Sequence, residues 1–275
     1  MKFLLFLLLN APAFAAVPVG EMVNDAFSGR KMPEGIEMSL KHVVQVREGS
    51  SIEVTETLTG SRSGAVSLWQ IGGQSYFSEW TGRDYAFRGK TLQSRSAVWM
   101  EYYLDRTGQE FLDRLLREQF VRRDQLSLFD SAYDPKGDPK TWETKDKVAR
   151  RDDVFFRKVG SDVAVRVQGS RGGSEQKAVY FLRDRKDVSL RRLEWLGSDT
   201  ATMDFLNPAT LSGMGRVPRV ISLTVGGSEK VRTTITSVRA AKRDTLATAR
   251  VSGRTLPGVP TGEAEEALRW ILRYR

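Results

Sequence analysis

Cysteine is absent from all 275 residues, which excludes disulfides and thiolate metal sites. Histidine occurs once, at His42. No serine sits in a recognisable nucleophile elbow, so a histidine-based triad has no support. Neither a Gly-rich phosphate loop nor a dinucleotide fingerprint occurs, nor do His and Asp recur at metal-ligand spacing. The adjacent carboxylates Asp152 and Asp153 flank a strand start, where neighbouring residues point to opposite faces and cannot act as an acid/base pair. These absences argue against an enzyme and call for no cofactor or metal. His42 reads as a partly exposed strand residue.

Long apolar runs are also missing after the first residues, so no transmembrane helix is expected. Residues 1–15 carry Lys2, an apolar stretch over 3–9 and the small-x-small site Ala13-Phe14-Ala15. That is the pattern of a secretory signal peptide cleaved after Ala15. With no cysteine beyond the site, a lipid anchor is not expected, and a periplasmic home fits. The formal net charge is +9, and about +8 remains once Lys2 leaves with the leader. Partners should therefore be anionic: an anionic membrane surface or acidic envelope transport proteins, rather than nucleic acid.

Residues 219–238 make the clearest structural statement. Ile221, Leu223 and Val225 alternate with Ser222 and Thr224; Gly226-Gly227-Ser228 turns the chain; Val231, Thr233 and Ile235 resume the alternation. The stretch is an antiparallel hairpin. Five further strands are predicted at about ten-residue spacing over residues 39–88, and five more over 154–206. Between the two sets, residues 96–105 are apolar nearly all round. Residues 110–122 set Phe111, Leu112, Leu115, Leu116 and Phe120 against charged residues, an amphipathic helix. Residues 19–27 form a short helix with Met22, Val23 and Phe27 on one side. Thr261 caps a last helix whose apolar face is Ala264, Leu268, Ile271 and Leu272. Residues 130–147 and 207–218 read as loops. About twelve antiparallel strands result, a sheet that either closes into a barrel or curls around something.

Aromatic residues are concentrated. Trp69, Tyr76, Phe77, Trp80, Tyr85 and Phe87 fall on three successive strands, and Trp99, Tyr102 and Tyr103 on the following helix. They either make an ordinary core beneath a helix or line an acyl-chain cavity, a site that leaves no catalytic motif. Such a ligand-binding cavity would be lined by Ile52, Val54, Leu58, Trp69 and Trp80 from the first strands and by Trp99 and Tyr103 from the helix. The later strands would add Val163, Val165, Val167, Leu193, Trp195, Ile221, Leu223 and Ile235. The basic clusters Arg150-Arg151, Arg183 to Lys186, Arg191-Arg192 and Lys242-Arg243 are placed at strand ends or loops. There they either guard solvated edges or form a rim that meets phosphate headgroups.

The order of elements resembles the periplasmic lipoprotein-carrier superfamily, the LolA/LolB-like proteins and their outer-membrane lipoprotein-sorting relatives. The likeness rests on the leader, the N-terminal helix, the first meander, the helical insertion and the second set of strands. The phrase Val217-Pro218-Arg219-Val220-Ile221-Ser222-Leu223, running into Gly226-Gly227, is similar to that family's late Pro-x-x-Ile strand and hairpin. The resemblance implies a mainly β fold with some α, a curved antiparallel sheet forming an unclosed half-barrel covered by helices. The resemblance covers roughly residues 19–238, and the chain is expected to divide into the leader 1–15, a half-barrel domain 16–256 with a helical insertion at 94–123, and a linker and C-terminal helix at 257–275. It further implies a non-enzymatic carrier holding a lipid or acylated lipoprotein. The rival expectation is an envelope scaffold with a filled core and a basic docking surface.

Overall fold

Period-two alternation builds the molecule. β1 (Gly35–Arg47) buries Ile36, Met38, Leu40, His42, Val44 and Val46, while the residues between them face outwards. The computed structural model describes residues 19–30, 33–61, 64–81, 84–96, 98–126, 154–169, 175–184, 187–211, 214–241 and 256–275. The leader, the 130–147 stretch, Asp152 and Asp153, and the basic residues Arg150, Arg151, Arg185, Lys186, Lys242 and Arg243 lie outside them.

After β1 come β2 (Ser50–Ser61), β3 (Gly64–Ile71), β4 (Gln74–Thr81), β5 (Asp84–Phe87) and β6 (Lys90–Gln93). Helices α2 (Val98–Leu104) and α3 (Gly108–Arg117) follow. The second set is β7 (Val154–Val159), β8 (Asp162–Gln168), β9 (Gln176–Asp184), β10 (Asp187–Leu196), β11 (Ala201–Leu211), β12 (Gly215–Val225) and β13 (Ser228–Ala240). Helix α1 (Val19–Asp25) precedes the strands and α4 (Glu263–Arg273) follows them. All thirteen strands join one antiparallel sheet in the order β6-β5-β4-β3-β2-β1-β13-β12-β11-β10-β9-β8-β7. One strand exceeds the expected count because β6 carries a single inward apolar residue, Leu92, too little alternation to read. At the β12–β13 turn, Gly226 and Gly227 take φ of 57° and 81°, values open to glycine.

The sheet is bent into a trough. In a flat sheet β6 and β9 stand ten places apart, about 48 Å at the usual strand spacing. Yet Arg95, two residues past β6, forms an ion pair with Glu175, one residue before β9. Only curling brings the two flanks within reach of a side chain. No ladder joins β6 to β7 among the described residues, so the barrel stays unclosed.

The concave face and the helices share one large core. Helix α4 packs on β1, β2, β6 and β13; α1 packs on α3 and β10. Thr107 caps α3 in a capping box, its hydroxyl accepting from the Glu110 N–H at 3.2 Å while Glu110 reaches back to the Thr107 N–H. Close approach elsewhere demands glycine: a Cβ on Gly169 would lie 1.8 Å from the Gln119 carbonyl oxygen.

Three local expectations need correction. Residues 207–211 and 215–218 are paired strand, with Pro208 opposite Pro218 and Leu211 opposite Gly215. Two prolines suggested a loop, but β10 pairs with β11 only as far as Asp204 and β13 with β12 only from Val220. The missing N–H groups therefore cost no ladder bond on those free sides. The cap of α4 is Gly262, at φ 64° and without a side-chain hydrogen bond; Thr261 does not serve. Arg191 and Arg192 lie within β10 rather than at a strand end. A register shift between Leu190 and Arg192 turns both arginines to the outer face, where Asp204 accepts from each at 2.8–2.9 Å.

Candidate ligand-binding interior

Twelve of the fifteen sequence-predicted lining residues meet in the core cluster. Val54, Leu58, Trp69 and Trp80 come from β2 to β4, Trp99 and Tyr103 from α2, and Val167, Leu193, Trp195, Ile221, Leu223 and Ile235 from β8 to β13. Ile52 and Val165 are half-buried against that cluster, and Val163, nearer the strand end, stands outside it. The described side chains of the inner face and of the helices pack against one another in that cluster. Trp69, Trp195, Tyr85, Tyr102 and Tyr103 are fully buried.

Ring contacts tie helices to sheet. Tyr102 meets Phe27 at 5.6 Å, Phe111 at 5.2 Å and Phe205 at 6.1 Å, all edge-on. The Arg30 guanidinium lies 3.7 Å from the Phe27 ring centre and 4.4 Å from that of Tyr102. Tyr103 donates to the Pro218 carbonyl at 2.7 Å, and burial holds its hydroxyl well above the ordinary tyrosine range.

Sequence reasoning missed the polar chain at the centre. Thr233 on β13, His42 on β1, Glu56 on β2 and Arg275 beyond α4 form a line with almost no solvent contact. Thr233 Oγ1 is 2.8 Å from His42 Nδ1; His42 Nε2 is 3.1 Å from Glu56 Oε2; Arg275 Nη2 is 2.7 Å from Glu56 Oε1. A carboxylate only accepts, so neutral His42 donates from Nε2, and its Nδ1 accepts the threonine hydroxyl. Burial lowers the His42 pKa below 6.5, outweighing Glu56. Burial pushes the Glu56 carboxyl upward, but Arg275 and His42 together prevail and hold it at about 2. The chain is thus one carboxylate, one guanidinium and a neutral imidazole, balanced in charge. With both ring nitrogens engaged and no solvent contact, His42 corrects its reading as a partly exposed residue.

One signal was available. His42 shares parity with Leu40 and Val44, and Glu56 with Val54 and Leu58, which places both on the inner face. Nothing comparable marks Arg275, since an arginine after an amphipathic helix reads as a solvated partner of the helix dipole.

The end of α4 also closes the trough. The Tyr274 ring packs on Trp195 at 4.9 Å, Arg95 donates from Nη1 to the Tyr274 hydroxyl at 2.7 Å, and the Arg95 N–H meets the Arg273 carbonyl at 2.6 Å. Outside, a groove of about 660 Å³ runs along α3, lined by Asp113, Leu116, Arg117, Gln119, Val121, Arg122 and Arg123. On the outer face of β8 to β10, Arg166, Tyr180 and Glu194 form a buried network; burial pushes the Tyr180 hydroxyl up to about 12, and it donates to Glu194 at 2.9 Å. No group of three or more acidic, His or Cys residues suited to a metal occurs among the described residues. No helix among them is long and apolar enough to cross a membrane.

No model of a known protein family matches the chain, and neither does any curated protein sequence. Among solved structures, the chain is similar in fold to a LolA superfamily protein from Nitrosomonas europaea. Identity is 8%, the TM-score is 0.45, and the match covers 82% of this chain and 95% of that one. It is also similar to an outer membrane lipoprotein-sorting protein domain from Vibrio parahaemolyticus, at 8% identity and a TM-score of 0.38, covering 83% and 96%.

Proposed function

We propose that the chain is a periplasmic lipid or lipoprotein carrier, exported by a leader cleaved after Ala15 and seen here in a self-occupied state. The observation that supports this reading is the manner of closure. A curled sheet with an apolar concave face is sealed by helices, and its flanks are bridged by the Arg95–Glu175 ion pair and the end of α4. Withdrawal of α4 would expose Trp69, Trp99 and Trp195 to a guest. Burial of acyl chains at about 25 cal/mol per Å² then offsets their removal from a bilayer. The chemistry is exchange, with no covalent step.

The full burial of the inner rings favours a second reading, an envelope scaffold whose core is simply complete and whose arginine-rich α3 groove docks an acidic partner. Native mass spectrometry of the purified protein, with titration by a fluorescent fatty acid, separates the two. A co-purifying amphiphile or saturable uptake is expected of the carrier. Protein that is empty in every preparation and ignores the probe leaves the scaffold. Val165→Trp sharpens the comparison: uptake is lost with the fold intact in a carrier, whereas a complete core is overpacked at a cost of about 1–3 kcal/mol.

A further inference from the structure

Arg275 sits in a cage that suits a different cation. Its Cζ lies 5.1 Å from the ring centre of Trp69, 5.3 Å from Trp99 and 5.7 Å from Tyr85, all within the range of cation–π attraction. The carboxylate of Glu56 takes one hydrogen bond from Nη2. A guanidinium carries N–H donors on all three nitrogens, and here Nε and Nη1, buried with the rest of the side chain, have no acceptor among the described residues. Each unsatisfied buried donor is a liability. A box with one carboxylate and three ring faces asks for a positive charge with fewer N–H groups than the five of a guanidinium.

We propose that Glu56, Trp69, Tyr85 and Trp99 form a binding site for alkylammonium groups, which Arg275 occupies as an intramolecular stand-in. The site is closed while α4 is docked and opens when Tyr274 and Arg275 withdraw, so ligand and helix compete for the same four residues. The ligand chemistry is a choline-like or ethanolamine-like group, whether on a lipid headgroup or on a free amine. This goes beyond the carrier reading and does not rest on it: choline binding without fatty-acid uptake would leave the site and remove the carrier, and the converse would remove the site alone.

The test uses the full chain with Arg275→Ala, titrated with choline chloride against potassium chloride at equal ionic strength. Tryptophan fluorescence and thermal midpoint are the readouts. Saturable choline binding that raises the midpoint is expected, weaker by about tenfold or more in the wild type, where the resident arginine competes, and in Arg275→Ala/Glu56→Gln, which lacks the carboxylate. A larger response to a choline-headed lysolipid than to choline identifies a headgroup site, and equal responses identify a free amine site. A folded Arg275→Ala protein that answers choline and potassium alike overturns the proposal.

Arg275→Lys and Arg275→Met provide a readout that does not depend on the alanine variant folding. Lysine sets an alkylammonium in the same cage and should hold the wild-type midpoint to within about 2 °C, while neutral methionine should fall several degrees below it. Lysine falling as far as methionine would mean that the cage requires a guanidinium, which also overturns the proposal.

Discussion

Replacing Glu56 by glutamine keeps the side chain's shape and removes its charge, leaving Arg275 as a buried cation with no counter-ion among the described residues. The amide can still bond to both neighbours if His42 changes tautomer, since Thr233 is able to accept as well as donate. The variant therefore isolates charge from hydrogen bonding. Removing one partner of a fully buried pair costs about 3 to 5 kcal/mol. An alternative relief is to undock α4 and carry Arg275 into water, at the expense of its apolar contacts. Leu268, Ile271, Leu272 and Tyr274 are buried beneath that helix, together worth on the order of 8 kcal/mol. Undocking is the dearer choice, so the helix should remain in place with a weakened hold. Denaturant unfolding should show the loss directly, with a thermal midpoint lower by about 10 °C. Hydrogen exchange should place it, with α4 amides exchanging about a hundredfold faster or more while the central strands change less. Adding Arg275→Met should recover most of the loss, because removing both charges leaves nothing uncompensated. A Glu56→Gln protein within about 1 kcal/mol of wild type would refute the reasoning, since a pair with no solvent contact cannot be that cheap to break.

Acid should loosen the same centre in two steps. The native pKa values of His42 and Glu56 both lie below their ordinary 6.5 and 4.5, so the unfolded chain binds more protons and stability falls as pH falls. The His42 step should begin below about pH 6.5 and the Glu56 step should run from about pH 4.5 towards 2, each with a slope approaching 1.4 kcal/mol per pH unit. Asp105, raised by burial, acts in the opposite sense. Urea midpoints across pH 3 to 8 check this, and His42→Gln should abolish the upper step alone. Thr107→Ala should cost about 1 kcal/mol by removing the capping box of α3, measured by denaturant unfolding. Gly169→Ala should cost about 2–3 kcal/mol or more, because the Gln119 carbonyl must move, and Gln119 is itself held at φ 63°.

The strands were legible wherever alternation ran for five residues or more, since burying one face of a sheet imposes period two on the side chains. The same parity correctly carried Val54, Leu58, Leu193 and Ile221 to the inner face. It failed at β6, which turns a single apolar residue, Leu92, inward, and at Pro208 and Pro218, where composition spoke for a loop although pairing on one side only makes proline harmless. His42 and Glu56 show the more instructive failure: their positions read as inside and their chemistry as outside, and position won because Arg275 supplied the missing charge. That partner lies 219 residues from Glu56, and no local pattern encodes so distant a contact.

The pairing of β1 with β13 places the earliest and latest strands side by side, with Ile36 opposite Ala240 and Val44 opposite Val231. Every other ladder joins strands that follow one another along the chain, so each wing can zip up from its own hairpins. The central seam must wait for both. Assembly should thus proceed as two quick local events and one slow non-local meeting, the kind of topology that folds in milliseconds to seconds. A chain divided between α3 and β7 would keep each wing whole and sever no ladder, so the separated halves should recombine along that seam when mixed.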